Sequence, residues 1–200
     1  MKCWATWSIV LLFLTGCAAI HPDRFYALEP EPAGTTAAPP GAATAVSLKV
    51  SVPSLVDRNE LVLRNGSGIT VLEHERWAAP LADQVAVVLG QNIEQRRPDL
   101  MISSRRLSQP GGATIAVSAD IVELSASRGG GVSMEVRWRI DRLGNTQALD
   151  NTQAIAGREI FRQPASGNDY AQVVRAVSDC IARLADRLAQ QLPATGNPSG

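Results

Sequence analysis

Apolar and polar residues alternate with a period of two along much of this chain, most clearly from Val132 to Asp141. Val132, Met134, Val136, Trp138 and Ile140 fall on one face, and Ser133, Glu135, Arg137, Arg139 and Asp141 on the other. That pattern predicts a strand buried on one side. It recurs over 46–52, where Val46, Leu48, Val50 and Val52 alternate with Ser47, Lys49 and Ser51 before Pro53 stops the run. Over 113–125, Ile115, Val117, Ala119 and Ile121 share a face, and then Val122 and Leu124 change parity. Such a shift marks a bulge or a strand covered on both sides. Shorter strands are predicted at 24–28, 60–64, 69–73 and 154–162. Asn65-Gly66-Ser67-Gly68 joins the middle two as a hairpin, because Asn-Gly supplies the positive φ of a tight turn. Arg128-Gly129-Gly130-Gly131 also reads as a turn, and no helix follows it that would make it a phosphate-binding loop.

Two segments switch to helical spacing. Pro80 opens the first, with Leu81, Val85, Val88, Leu89 and Ile93 on one face. Asp83 suits its first turn, Arg96 and Arg97 suit its negative end, and Pro98 stops it. The second spans about 168–192, with Tyr170, Val173, Val177, Ile181, Leu184, Leu188 and Leu192 in one stripe and Pro193 after it. The predicted architecture is α+β: a mainly antiparallel sheet of about six to seven strands with two amphipathic helices packed on one face. Residues 29–45, rich in Pro, Gly and Ala and without periodicity, read as a flexible loop, and 193–200 as a disordered tail.

The amino-terminal end has a different character. Lys2 precedes the apolar run Ile9-Val10-Leu11-Leu12-Phe13-Leu14, too short to span a bilayer but suited to a signal peptide. Leu14-Thr15-Gly16-Cys17 follows directly and resembles the bacterial lipobox. The resemblance implies a signal peptide at 1–16, diacylglycerol on the thiol of Cys17, and acylation of the new amino end. Residues 17–23 would be the lipidated terminus, and 24–192 a single periplasmic domain. Ala18 stands where Asp would favour the inner membrane, so the outer membrane is expected. This lipid is the one attached group expected; no cofactor is.

Composition narrows the function by exclusion. Cleavage leaves 184 residues, with 18 basic and 19 acidic side chains, a net charge of −1. No basic stripe marks a nucleic-acid surface. Cys3 leaves with the signal and Cys17 carries lipid, so Cys180 has no internal disulfide partner and reads as a packing residue in the last helix. The two histidines, His21 and His74, do not make a zinc site, because Glu73-His74-Glu75 alternates across a strand. Neither a Gly-x-Ser-x-Gly elbow nor a nucleotide-binding glycine pattern occurs. A non-enzymatic protein is expected.

Two segments carry more polar detail than a core requires: Val52 to Arg64 and Glu75 to Asp83. Taken singly they read as a strand, a turn at Asp57 and Asn59, and a helix start that Trp77 could staple. Together with the lipobox and Phe25-Tyr26-Ala27-Leu28 they resemble the PqiC-like family of ABC-type transport auxiliary lipoproteins. The residues that carry the resemblance are Val52-Pro53, Val56-Asp57-Arg58, Leu61-Val62, Arg76-Trp77-Ala78, Pro80-Leu81 and Arg137-Trp138. Val56 replaces the usual Leu, and Ala79 replaces an acidic residue, which puts any role of that carboxylate in doubt. The resemblance implies an outer-membrane-anchored auxiliary subunit in a system that moves phospholipid or other hydrophobic molecules between membranes. Its expected partners are an MCE-domain protein, the ABC permease and ATPase, and possible further copies of itself in a homo-oligomeric ring. Asp57, Arg58, Arg76 and Trp77 are the residues expected to form the self-assembly or partner surface. The alternative is a binding or assembly module of another cell-envelope complex.

Overall fold

The computed structural model describes residues 22–32, 43–104, 115–142, 154–165, 167 and 169–194. The expected signal peptide, Cys17, His21, positions 33–42 of the expected loop and positions 195–200 of the expected tail lie outside these residues. The elements are β1 Arg24–Tyr26, β2 Thr44–Ser51, β3 Glu60–Asn65, β4 Gly68–Trp77, α1 Leu81–Arg96, β5 Leu100–Ser103, β6 Ile115–Ser127, β7 Gly131–Arg142, β8 Ile155–Gln163 and α2 Tyr170–Gln191. The class is α+β, as expected.

The strands divide between two sheets, in the orders β1-β4-β3 and β5-β2-β6-β7-β8. In the larger one, β6, β7 and β8 form an antiparallel meander, whereas β2 pairs in parallel with both β5 and β6. Parallel pairing follows from connectivity: α1 carries the chain back across the sheet, so β5 runs beside β2 in the same direction. The unpredicted strand is β5, whose Leu-Met-Ile-Ser run is too short to show alternation. The parity change in β6 is a bulge between Ile121 and Glu123: Val122 and Glu123 are both exposed, and burial moves from Ile121 to Ala126. At the β3–β4 turn, Asn65 pairs with Gly68, and the positive φ of 60° sits at Gly66 alone.

Both helices cover one face of the larger sheet, α1 over β2 and β5 and α2 over β7 and β8, and they pack against each other. The core holds Val46, Leu48, Val117, Met134, Val136 and Ile140 from strands, with Leu81, Leu89 and Ile93 from α1 and Ile181, Leu184 and Leu188 from α2. Each such side chain contributes about 1.5–3 kcal/mol on burial. The small sheet closes a second part of this core. Leu61, Leu63 and Trp77 meet Leu81, Leu124, Ala126, Val173 and Val177 there.

Two polar devices fix the helix ends. Asp169 caps α2 by accepting a hydrogen bond from the Ala171 amide at 3.0 Å. Arg97 lies just past α1 yet serves the far end of α2, donating to the carbonyls of Leu192 at 3.0 Å and Pro193 at 2.9 Å. Asp99 holds that guanidinium with both carboxylate oxygens, at 2.9 and 2.7 Å.

Cys180 is fully buried in α2, and burial pushes its thiol pKa up to about 12. Without thiolate it is a poor nucleophile. A thiol reagent should label the native protein slowly and the denatured protein fast, with one equivalent incorporated at Cys180. Rapid stoichiometric labelling in the folded state would contradict this packing role.

Candidate functional site

The outer face of the small sheet gathers charge from three strands. β1 pairs in parallel with β4, setting Phe25 opposite Arg76, and Arg76 also stands opposite Glu60 of β3. Arg58 donates from Nε to Glu60 at 2.9 Å, and Arg76 approaches the other oxygen of Glu60 at 3.9 Å. Arg76 also bonds Asp23 at 3.0 Å, and Asp23 meets His74 Nδ1 at 3.0 Å. The result is a row of alternating charge, Arg58–Glu60–Arg76–Asp23, with His74 in contact at its end. The Arg58 hydrogen bond is the main reason the Glu60 carboxyl stays below the ordinary carboxylate range. Behind this row, Tyr26 donates its hydroxyl to Glu75 at 2.7 Å. Burial, reinforced by that carboxylate, raises the Tyr26 pKa to about 12.

Beyond β1 the chain becomes a strap laid across both helices. The amides of Leu28 and Glu31 donate to Gln84 at 2.9 Å and Asn92 at 2.9 Å on α1, and the Glu29 amide donates to Ser178 on α2 at 3.2 Å. Gln95 donates back to the Glu31 carbonyl at 3.0 Å. Arg96 then joins the Glu31 carboxylate to Asp186 of α2. Positions 29–32 of the expected flexible loop are therefore bound to the helices, and 44–45 already belong to β2. Buried backbone needs hydrogen-bond partners, and polar side chains within the helix interface supply them. Asn92 is the sequence signal for this strap. It falls on the apolar stripe of Leu81, Val85, Val88 and Leu89, where a buried polar residue is the informative exception.

Of the four residues expected to form a contact surface, the structure brings Arg58 and Arg76 together through Glu60. Asp57 is exposed in a turn closed by its amide on the Pro53 carbonyl at 3.0 Å. Trp77 differs from the sequence expectation. It ends β4, its amide bonds the Asn59 carbonyl at 2.7 Å, and its side chain is 8% exposed within the core. Its apolar ring is worth more under α1 than in water, so Trp77 shapes this surface from beneath. Sequence reasoning counted Glu60 among the excess polar residues of its segment without assigning it to the surface, and missed Asp23; these are the carboxylates that tie the row together.

A groove of about 540 Å³ separates the strap from α2, bounded by Phe25, Pro30, Pro32, Ala171, Val174 and Arg175. Its titratable residues are Tyr26, Glu29, Glu31, Arg175 and Asp179, a set without histidine or cysteine. Among the described residues no group of three or more His, Cys, Asp or Glu is placed to hold a metal. No helix among them is long and apolar enough to cross a membrane.

The fold is an α+β domain whose polar groups tie its own amino-terminal segment to its helices. Comparison with known proteins makes this specific: residues 26–189 match the family described as "ABC-type transport auxiliary lipoprotein component", and the chain belongs to that family. Association with an ABC-type transporter follows from membership. Among solved structures, an uncharacterized protein superposes with a TM-score of 0.68 at 16% identity, over 86% of this chain and 100% of the other. A Xanthomonas campestris protein of family DUF330 gives a TM-score of 0.59 at 14% identity, over 82% of this chain and 92% of the other. These likenesses establish the shared fold. No curated protein matches the chain.

Proposed function

We propose that the protein is a non-enzymatic subunit, anchored in the outer membrane through acylated Cys17 and facing the periplasm. In this reading it docks an MCE-domain protein whose ABC permease and ATPase move phospholipid or other hydrophobic molecules between the two membranes. Neither a cofactor nor a metal enters the role. The observation that carries the reading is the family match over residues 26–189, set directly behind Leu14-Thr15-Gly16-Cys17. The bound strap supports it, because it couples a lipid anchor to both helices instead of leaving the domain on a loose tether. The domain is taken as one unit over 24–192. Arg58, Arg76 and Asp57 form the surface used for contact with the MCE-domain subunit or with further copies in a ring, and Trp77 holds that surface in place.

Crosslinking in cells, followed by identification of the captured proteins, tests this directly. An MCE-domain protein should be recovered from the wild type. Recovery of a different envelope machine instead would favour the assembly-module alternative. Arg58→Glu sharpens the test. It sets like charges at Glu60 on an exposed surface, where isolated pairs add little stability. Crosslinking should fall while thermal unfolding barely moves. An Arg58→Glu protein that unfolds early, or that crosslinks normally, would make the segment purely structural.

A further inference from the structure

The far end of the β3–β4 hairpin has no role in the contact surface above, and its composition is unusual. From Leu61 to Leu72 the single charged residue is Arg64, whereas Glu60 and Glu73 flank the segment. Arg64 pairs with Ile69 and Val62 with Val71, so all four share the face opposite buried Leu61 and Leu63. Ile69 is 46% exposed and Val71 37%. Every residue from Asn65 to Val71 is exposed, on both faces of the strands, so the hairpin end stands clear of the core. A projection with two exposed apolar side chains, Ile69 and Val71, uncharged Asn65, Ser67 and Thr70, and one arginine suits the boundary between lipid headgroups and acyl chains, where arginine can keep its charge in water.

Chain geometry supplies the occupant. β1 is parallel to β4, so the amino-terminal end of β1 is directed toward the Gly68 end of the hairpin. Seven residues separate Arg24 from Cys17, and seven separate Glu75, the partner of Arg24, from Gly68. An extended chain reaches at most about 25 Å over seven residues, and a strand of that length spans about 23 Å. The chain between Arg24 and Cys17 is thus long enough to span the distance from Arg24 to the hairpin end.

We propose that the β3–β4 hairpin end, through Ile69, Val71 and Arg64, rests in the phospholipid surface that holds the anchor. This rests on acylation of Cys17. The domain is then fixed by two points, the anchor and the hairpin, with the Arg58–Glu60–Arg76 row at the opposite end of the small sheet turned away from the membrane.

The test uses full-length protein carrying Ile69→Cys or, as a control on exposed α1, Val87→Cys. Each is labelled with an environment-sensitive fluorophore and reconstituted into phosphatidylethanolamine–phosphatidylglycerol vesicles. Cys180 stays unlabelled because it is buried. Mass spectrometry first establishes whether Cys17 is acylated; its absence counts against the anchor and not against the hairpin. With acylated protein, acyl-chain-brominated lipid should quench the label at position 69 several-fold more than at position 87. Equal quenching at the two positions would overturn the proposal. Shielding of position 69 that appears only when a protein partner is added would overturn it as well.

Discussion

Cys17→Ala protein should take up no labelled fatty acid, retain residues 1–16, and be absent from the outer-membrane fraction. In the proposed reading the thiol of Cys17 is the nucleophile that receives diacylglycerol, and alanine has none. No other cysteine can stand in: Cys3 precedes the apolar run, and Cys180 is buried with its pKa near 12. The loss should be all-or-none. Each buried methylene contributes about 0.8 kcal/mol, and one chain alone gives only marginal, reversible attachment, so several chains together decide whether the protein stays. Fatty-acid labelling and membrane fractionation measure it. Labelling of the variant at the wild-type level would remove the lipobox reading.

The second large effect lies in the meander. The Trp138 ring lies over Gly157 of β8, its cross-strand partner. A Cβ at position 157 would clash with Trp138 Cζ2 and meet Cε2 at 2.6 Å. Trp138 is 6% exposed, and its indole N–H has no partner among the described residues, so the ring has little room to move and little to hold it elsewhere. Gly157→Val should destabilise the protein by about 3 kcal/mol, lowering Tm by roughly 6–12 °C for a domain of this size. Valine favours strands, so backbone preference acts against the effect and cannot explain it. Ala156→Val, one residue earlier on the exposed side, should stay within about 0.5 kcal/mol. Thermal unfolding monitored by near-UV circular dichroism reads both the stability and the Trp138 environment. An unchanged Tm for Gly157→Val would contradict the packing.

The two variants also mark how far the sequence could be read. Local information carried the long strands, the hairpin at Gly66 and both helices, because each has a signature within a few residues. The parity change at Val122 left a bulge or a strand covered on both sides open, and the structure sets a bulge between Ile121 and Glu123. Pairing partners are a different matter. Nothing in the alternation of β2 distinguishes a parallel neighbour from an antiparallel one, and β5 exists only because α1 returns the chain beside β2. The contact surface was legible in part. Arg58, Glu60 and Arg76 lie in segments with more polar detail than a core needs, but Asp23, which joins the row, sits just ahead of β1 and far away in the sequence. Trp77 and Trp138 look alike in sequence as large residues beside arginine. Both are covered in the fold, Trp77 beneath the small sheet and Trp138 over a glycine, and only tertiary packing reveals this.

The strap has a mechanical meaning. A transporter that changes shape between two membranes will tug on any subunit held in one of them. In this protein traction on Cys17 would enter the fold at Asp23 and meet its attachments in series. The contacts of Asp23 with Arg76 and His74 come first, then the short β1 ladder, then the hydrogen bonds to Gln84, Ser178 and Asn92. Each must yield before the next is loaded, and the last of them sits between the two helices. Tension would therefore peel away the amino-terminal segment in small steps while the sheet and helix core stayed folded, a graded slack between a fixed anchor and a moving partner.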